Sequence, residues 1–155
     1  MPVGQPSLKG RALRYLAARE HSRAELERKL GSHESEPGEL ARVLDELTAK
    51  GFISEARVVE SVLHRRAASL GNARVIQELR SKGIGAEALA DAAEHLRASE
   101  LDRAREVWRK KFGAKGEGDG SADPAERARQ MRFLAARGFS AEVVRRVMRG
   151  GFEDD

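Results

Sequence analysis

The chain has 155 residues, the size of one ordinary domain or of a few very small ones in series. Its 29 basic and 25 acidic side chains leave a formal charge of +4, and the absence of cysteine excludes disulfides, thiolate metal sites and thiol nucleophiles. Aromatic residues make up 5% of the chain, too few for a large β-rich core, whereas the abundant Ala, Leu, Arg and Glu favour helices. We therefore expect an all-α protein.

Hydrophobic patterning gives no sign of a membrane segment. The longest uninterrupted apolar runs have four residues, at 15–18 and 133–136, whereas a bilayer span needs about twenty. The residues at the N-terminus lack the apolar core of a signal peptide. We therefore expect a cytoplasmic protein with no membrane partner.

Local signals predict three helices in the first part of the chain. After a flexible arm at 1–6, Ser7 can cap a first helix, and Ser22 with Glu25 has the pattern of a capping box for a second. Residues 31–38 are polar and contain a proline, so we expect a loop there. A third helix runs from 39 to a C-terminal glycine at 51. The apolar positions of the first helix are Leu8, Ala12, Tyr15 and Leu16.

The middle of the chain predicts three more helices. The first begins near Ser54 and is interrupted at Gly71 and Asn72, and the second stops at Gly83. The third carries Leu89, Ala92, Ala93 and Leu96. The apolar face of the first of these helices consists of Val59, Val62, Leu63, Ala67 and Leu70.

The last part of the chain predicts another three helices. The seventh covers 101–112 and is expected to bury Leu101, Ala104, Trp108 and Phe112. Residues 113–122 include four glycines, so we expect a flexible linker that acts as a hinge. Asp123 followed by Pro124 predicts the start of an eighth helix that ends at Gly138, and the ninth covers 141–149 before an acidic tail at 151–155.

These nine short helices fall into three groups, at 7–51, 52–98 and 99–150. Three similar segments recur at offsets of 53 and 55 residues, namely 25–30, 78–83 and 133–138. Such a period is typical of helical repeats, which bury mainly their nearest neighbours. The pattern is also a common helix ending, and it occurs again at 47–52, so true repetition and coincidence both stay open.

No catalytic or metal-binding pattern is present in the sequence. The four histidines are far apart, with no partner at helical spacing, and we expect them at helix ends or on the surface. The order of a serine-histidine-aspartate triad and a phosphate-binding glycine loop are both missing. We therefore expect no enzyme activity and no cofactor.

Basic charge is concentrated in two regions. Residues 123–150 contain seven arginines against three acidic residues, and residues 7–30 contain seven basic residues against three glutamates. Arginine suits bidentate contacts with carboxylate or phosphate, so these regions could face a polyanion or an acidic protein groove. Simple solubility charges would give the same composition.

Three motifs, in order along the chain, resemble the RecX family of bacterial regulators of the RecA recombinase. They lie at 19–30, at 65–84 and at 123–140. The chain departs from the family after Gly51-Phe52-Ile53, where Ser54-Glu55 replaces the usual Asn/Asp-Asp pair. Both pairs can cap a helix, so we expect only a local change.

The resemblance implies three tandem three-helix units in an elongated, curved arrangement. It also implies a monomer that lies in the groove of the RecA–DNA filament and suppresses ATP hydrolysis, strand exchange and co-protease activity. Such a protein acts in DNA repair, DNA recombination and the SOS response. A weak direct contact with DNA stays open.

Partner contacts are expected where the family motifs and the basic clusters coincide. These residues are Arg65, Arg66, Arg74, Lys82, Arg127, Arg129, Arg132 and Arg137. The alternatives are a helix-turn-helix module that reads nucleic acid and a plain scaffold for another helical protein. The chain has one Asn and three Gln, few residues for reading base edges.

Overall fold

The computed structural model describes residues 4–113 and 123–149, which form nine α-helices and no strand. The first unit contains α1 (Leu8–Ala18), α2 (Arg23–Leu30) and α3 (Glu39–Ala49). The second unit contains α4 (Glu55–Arg66), α5 (Asn72–Ser81) and α6 (Ala86–Arg97). The third unit contains α7 (Glu100–Phe112), α8 (Pro124–Ala136) and α9 (Ala141–Met148). The all-α expectation is confirmed, and no described helix is long and apolar enough to cross a bilayer.

The predicted helix boundaries rest on local hydrogen bonds. The capping box of α2 is present, because Ser22 accepts from the Glu25 backbone and Glu25 accepts from the Ser22 backbone. The helices α1, α4, α8 and α9 also begin at a Ser or Asp side chain that accepts a backbone N–H. Gly51, Gly83 and Gly138 have φ of +83°, +76° and +96°, which end α3, α5 and α8 in the left-handed region.

Each unit has its own hydrophobic core. Leu26, Leu79 and Leu134 are fully buried at corresponding places in the middle helices α2, α5 and α8. Their spacing matches the sequence repeat, so the repetition extends to the structure. The helices pack mainly against the other helices of their own unit. The three clusters of buried side chains have no residue in common.

The predicted core positions need several corrections. On α4, Val58 and Val62 are buried, whereas Val59 is only half-buried. Tyr15 on α1 is 36% exposed, because its ring lies at the surface against His21 and under the ammonium of Lys29.

Two further corrections concern a loop and a histidine. The predicted loop at 31–38 begins with one 3₁₀ turn, Gly31–His33. His21, expected at a helix end or on the surface, precedes α2 but is 2% exposed, and its ring lies 3.1 Å from the Arg19 carbonyl oxygen. Most of the predicted linker at 113–122 and the acidic tail lie outside the described residues, and Gly113 directly follows α7.

The joint between the second and third units is a backbone contact. Gly71 donates its N–H to the Arg137 carbonyl over 2.7 Å, and Ala73 donates to the Gly138 carbonyl over 3.3 Å. A Cβ atom on Gly71 would lie 2.2 Å from Gly138 C and Phe139 N. Only glycine at 71 allows these two backbone segments to approach this closely.

A half-buried arginine completes the same joint. Arg103 donates to the carbonyls of Ala67 and Leu70, each over 2.9 Å, and to that of Leu96 over 3.1 Å. It also donates to the Asn72 side chain. Burial lowers the pKa of Arg103, and the nearby Glu100 opposes that effect. One guanidinium thus satisfies carbonyls at the ends of α4 and α6.

The joint between the first and second units uses side chains. The Ser22 hydroxyl donates to the Lys82 carbonyl, and Arg28 donates to the Ser81 carbonyl over 3.0 Å. Lys82 Nζ lies 3.4 Å from Glu25 Oε2 across the same joint. Both joints therefore place the start of a middle helix against the turn that ends the next middle helix.

Trp108 supports the core of the third unit. Its ring is half-buried beside the core cluster, and Nε1 donates to Gln130 over 2.9 Å. We expect Trp108→Ala to lower the free energy of unfolding by about 3 kcal/mol, the low end for buried tryptophan. Trp108→Phe should cost about 1 kcal/mol, since it removes mainly the hydrogen bond. Urea unfolding measures both, and equal losses would contradict this division.

The close backbone contact at Gly71 can be tested by substitution. Gly71→Ala should lower the free energy of unfolding by about 2–3 kcal/mol, because the added Cβ forces the two backbones apart. Gly31→Ala is the matched control, since its Cβ would meet nothing within 4 Å and its φ is −54°. The control should be neutral or slightly stabilising. Urea unfolding compares the variants, and a neutral Gly71→Ala would refute the constraint.

Candidate partner-binding surface

Two predicted site residues lie at the joint between the second and third units. Arg74 Nη1 donates to the Ala136 carbonyl over 2.7 Å, at the end of α8. Arg137 Nη1 reaches back to the Ser69 carbonyl over 3.4 Å. The two guanidinium groups are therefore held on either side of one joint.

Aromatic rings support further cations on the third unit. The Arg137 guanidinium lies 4.9 Å from the centre of the Phe133 ring, and Lys111 Nζ lies 5.5 Å from the same ring. Arg129 lies 5.3 Å from the Phe112 ring, which meets Phe133 edge to face at 5.3 Å. These cation–π contacts restrict the side chains while leaving the cations at the surface.

Arg132 shares this face of α8. Positions 129, 132, 133 and 137 follow helical spacing along one side. Arg132 is exposed and makes no hydrogen bond or ion pair with another described residue. These cations form one surface, the basic band, which consists of Arg74, Lys111, Arg129, Arg132 and Arg137.

One carboxylate lies within the basic band. Glu126 accepts from Arg129 at 2.7 and 2.9 Å, and it also accepts from Gln130 over 3.1 Å. Gln130 in turn accepts from Trp108. This chain of hydrogen bonds connects the core of the third unit to Arg129 and fixes the position of that guanidinium.

Arg65 and Arg66 extend the basic band onto the second unit. Arg65 Nη2 lies 3.7 Å from Glu78 Oε2, and Arg66 Nε lies 3.0 Å from Glu78 Oε1, on α5. Glu78 is one helical turn after Arg74, so the three arginines belong to a continuous stretch of surface. The structure thus brings six of the eight predicted residues together.

The other two predicted residues lie elsewhere. Lys82 is in the joint between the first two units, with a side chain only 15% exposed. Arg127 donates to the Met148 carbonyl over 3.3 Å, at the end of α9. Both cations serve contacts within the chain.

Sequence reasoning missed Lys111 and the aromatic support. Lys111 ends a run of three basic residues before Phe112, a pattern that by itself indicates only a basic helix end. The approach of Phe112 to Phe133 links α7 with α8 across a sequence separation that no local pattern spans.

Family models match both ends of the chain: the first three-helix domain of RecX at residues 9–47 and the third at residues 98–148. A regulatory protein RecX of Leptothrix cholodnii is 59% identical over 145 residues, which cover 94% of this chain and 89% of the relative. The chain belongs to the RecX family. A regulatory protein RecX of Ralstonia nicotianae is 49% identical over 150 residues, which cover 97% of this chain and 91% of the relative.

Solved RecX structures share the fold of this family member. A crystal structure of regulatory protein RecX has a TM-score of 0.74 at 20% identity, over 90% of this chain and 70% of that chain. RecX from Lactobacillus salivarius has a TM-score of 0.74 at 18% identity, over 92% of both chains. The three-unit architecture is therefore common to distant RecX proteins.

The Glu25 carboxylate at the first joint has a strongly shifted pKa. Burial would raise the pKa, but hydrogen bonds from Arg19 and the Ser22 backbone, with the charge of Lys82, lower it to about 2. The carboxylate is 8% exposed and lies 2.7 Å from Arg19 Nη2. Because the folded pKa is depressed, Glu25 stabilises the fold above its unfolded pKa near 4.5, and this stability is lost as the pH falls toward 2.

We expect Glu25→Gln to lower the free energy of unfolding at pH 7 by about 2 kcal/mol. The variant should also lose part of the acid dependence between about pH 4.5 and 2. Glu27→Gln is the matched control on the same helix, where the carboxylate is 52% exposed. Urea unfolding at several pH values measures both. An identical acid dependence in the two variants would show that Glu25 is not the responsible group.

Proposed function

We propose that this RecX-family chain regulates RecA by binding in the helical groove of the RecA–DNA filament. Membership in a family of regulatory proteins supports the regulatory role. The serial arrangement of three units supports a ligand that extends along a surface rather than one enclosed in a pocket. In this proposal the chain acts in the cytoplasm as a monomer, without a cofactor.

The basic band is the observation that carries the proposal. It crosses the joint between the second and third units and continues to Arg65 and Arg66. A row of guanidinium groups, most of them held by contacts within the chain, suits an acidic groove, because arginine forms bidentate contacts with carboxylates. Binding across neighbouring RecA subunits would resist their relative movement and thereby suppress ATP hydrolysis, strand exchange and co-protease activity.

A helix-turn-helix module that reads base sequence is less well supported. The exposed face of α6 carries Glu87, Asp91 and Glu94, which would face phosphates with like charge. The helix α9 contains no Asn or Gln, the side chains that recognise adenine edges. The arginines of α9 can read guanine, but the helix offers no side chain for adenine, so the reading of a mixed base sequence is less well supported.

The deciding experiment measures RecA ATPase on single-stranded DNA while this protein is titrated in. Inhibition well below one molecule per RecA subunit, at saturating DNA, is the expected result. Inhibition that disappears when more DNA is added would indicate simple sequestration of DNA and would overturn the proposal.

Charge reversal in the basic band tests the contact surface. The double variant Arg129→Glu with Arg132→Glu should need about tenfold more protein for half-inhibition, since it places like charges against an acidic groove. The control reverses the same number of charges at Arg42 and Arg97, on α3 and α6. Circular dichroism should show unchanged helical content in both. Full inhibition by the Arg129/Arg132 variant would exclude this surface.

A further inference from the structure

Two helix pairs of the chain have the connectivity of a helix-turn-helix, in which a short turn joins two consecutive helices. Residues 82–85 join α5 to α6, and residues 137–140 join α8 to α9. Each turn contains a glycine with positive φ, Gly83 or Gly138. In this motif the second helix is the one presented to nucleic acid. In this chain the corresponding second helices are α6 and α9.

The exposed faces of α6 and α9 have opposite charge. Glu87, Asp91 and Glu94 are exposed on α6, alongside one exposed arginine, Arg97, that pairs with Glu94. On α9 and its C-terminal cap, Arg145 and Arg149 are exposed alongside a single exposed acid, Glu142. The same local fold therefore repels phosphates in the second unit and attracts them in the third.

The two arginines are presented by a rigid element. Val144 and Met148 are 4% and 8% exposed, so the opposite face of α9 is fixed in the core. Arg145 and Arg149 are one helical turn apart, and neither side chain has a hydrogen bond or ion pair with a described residue. Arg127 reaches the carbonyl of Met148 and adds a third cation at this end of α9.

We propose that Arg145 and Arg149 of α9 bind the phosphate backbone of nucleic acid without reading its sequence. Guanidinium groups at this spacing can contact successive phosphates. Because α9 contains no Asn or Gln for adenine edges, base reading by this helix would rest on arginine contacts with guanine alone. This surface is separate from the basic band. Arg129 of the band lies against Phe112 of α7 and Arg137 reaches the second unit, whereas Arg127 contacts α9. The contact goes beyond the proposed function, because the chain makes it in the absence of RecA.

The test uses the full chain alone with a fluorescently labelled 30-nucleotide DNA, single-stranded or duplex. Fluorescence anisotropy gives the association constant over a series of salt concentrations. Each lost phosphate contact reduces the slope of log K against log salt by about 0.7 on single strands and about 0.9 on duplex DNA. The double variant Arg145→Gln with Arg149→Gln should therefore reduce the slope by about 1.4 and about 1.8, equally for different sequences.

The matched control is the double variant Arg42→Gln with Arg97→Gln. It removes the same charge from the third helices of the other two units. Its salt slope should equal that of the unaltered chain. An unchanged slope in the Arg145/Arg149 variant, or an equal reduction in the control, would overturn the proposal.

A competitor distinguishes phosphate from carboxylate partners. Poly-L-glutamate at matched charge should displace the DNA at least about tenfold less effectively than unlabelled DNA. Equal competition would indicate an acidic protein surface instead and would overturn the nucleic-acid assignment. Because these measurements contain no RecA, their failure leaves the ATPase experiment unaffected, and the reverse also holds.

Discussion

The hydrogen bond from Gly71 to the Arg137 carbonyl positions most of the second half of the molecule. It joins the start of α5 to the end of α8, with 2.7 Å between Gly71 N and the Arg137 carbonyl oxygen. Arg74 consequently meets the last carbonyls of α8, and Arg137 reaches back to the second unit. Arg103 supports the same joint through the carbonyls of Ala67 and Leu70. The basic band therefore depends on a backbone approach that a single methyl group would prevent.

Charge is distributed over the repeated units independently of their shared fold. The three cores use leucines at corresponding positions, Leu26, Leu79 and Leu134. The exposed faces differ, since α6 is acidic and α9 is basic. Because exposed charges contribute little to the stability of a helix pair, they can change without loss of the fold. This separation lets one scaffold carry surfaces of different charge.

Signals that act over three or four residues allowed the helices to be predicted from sequence. Ser22 with Glu25 and Asp123 with Pro124 mark helix starts, and Gly51, Gly83 and Gly138 mark helix ends. The sequence could not predict which arginines serve the interior. Arg127 and Arg129 are two residues apart on α8, yet one contacts α9 and the other covers Phe112. Likewise, the burial of His21 and the hydrogen bonds of Arg103 to the second unit depend on tertiary contacts that no local pattern encodes.

The two joints differ in how readily evolution can alter them. The first joint is held by side chains, including Ser22, Arg28 and the Glu25–Lys82 pair. Replacement of one of these side chains leaves the hydrophobic cores intact, whereas Gly83 at the same joint admits no side chain, because its Cβ would lie 2.5 Å from Ala24 Cβ. The second joint is held by main-chain atoms at Gly71 and Gly138, where nearly any replacement introduces a collision. Divergence among homologues should therefore accumulate in the orientation of the first unit, while the second and third units keep a common arrangement.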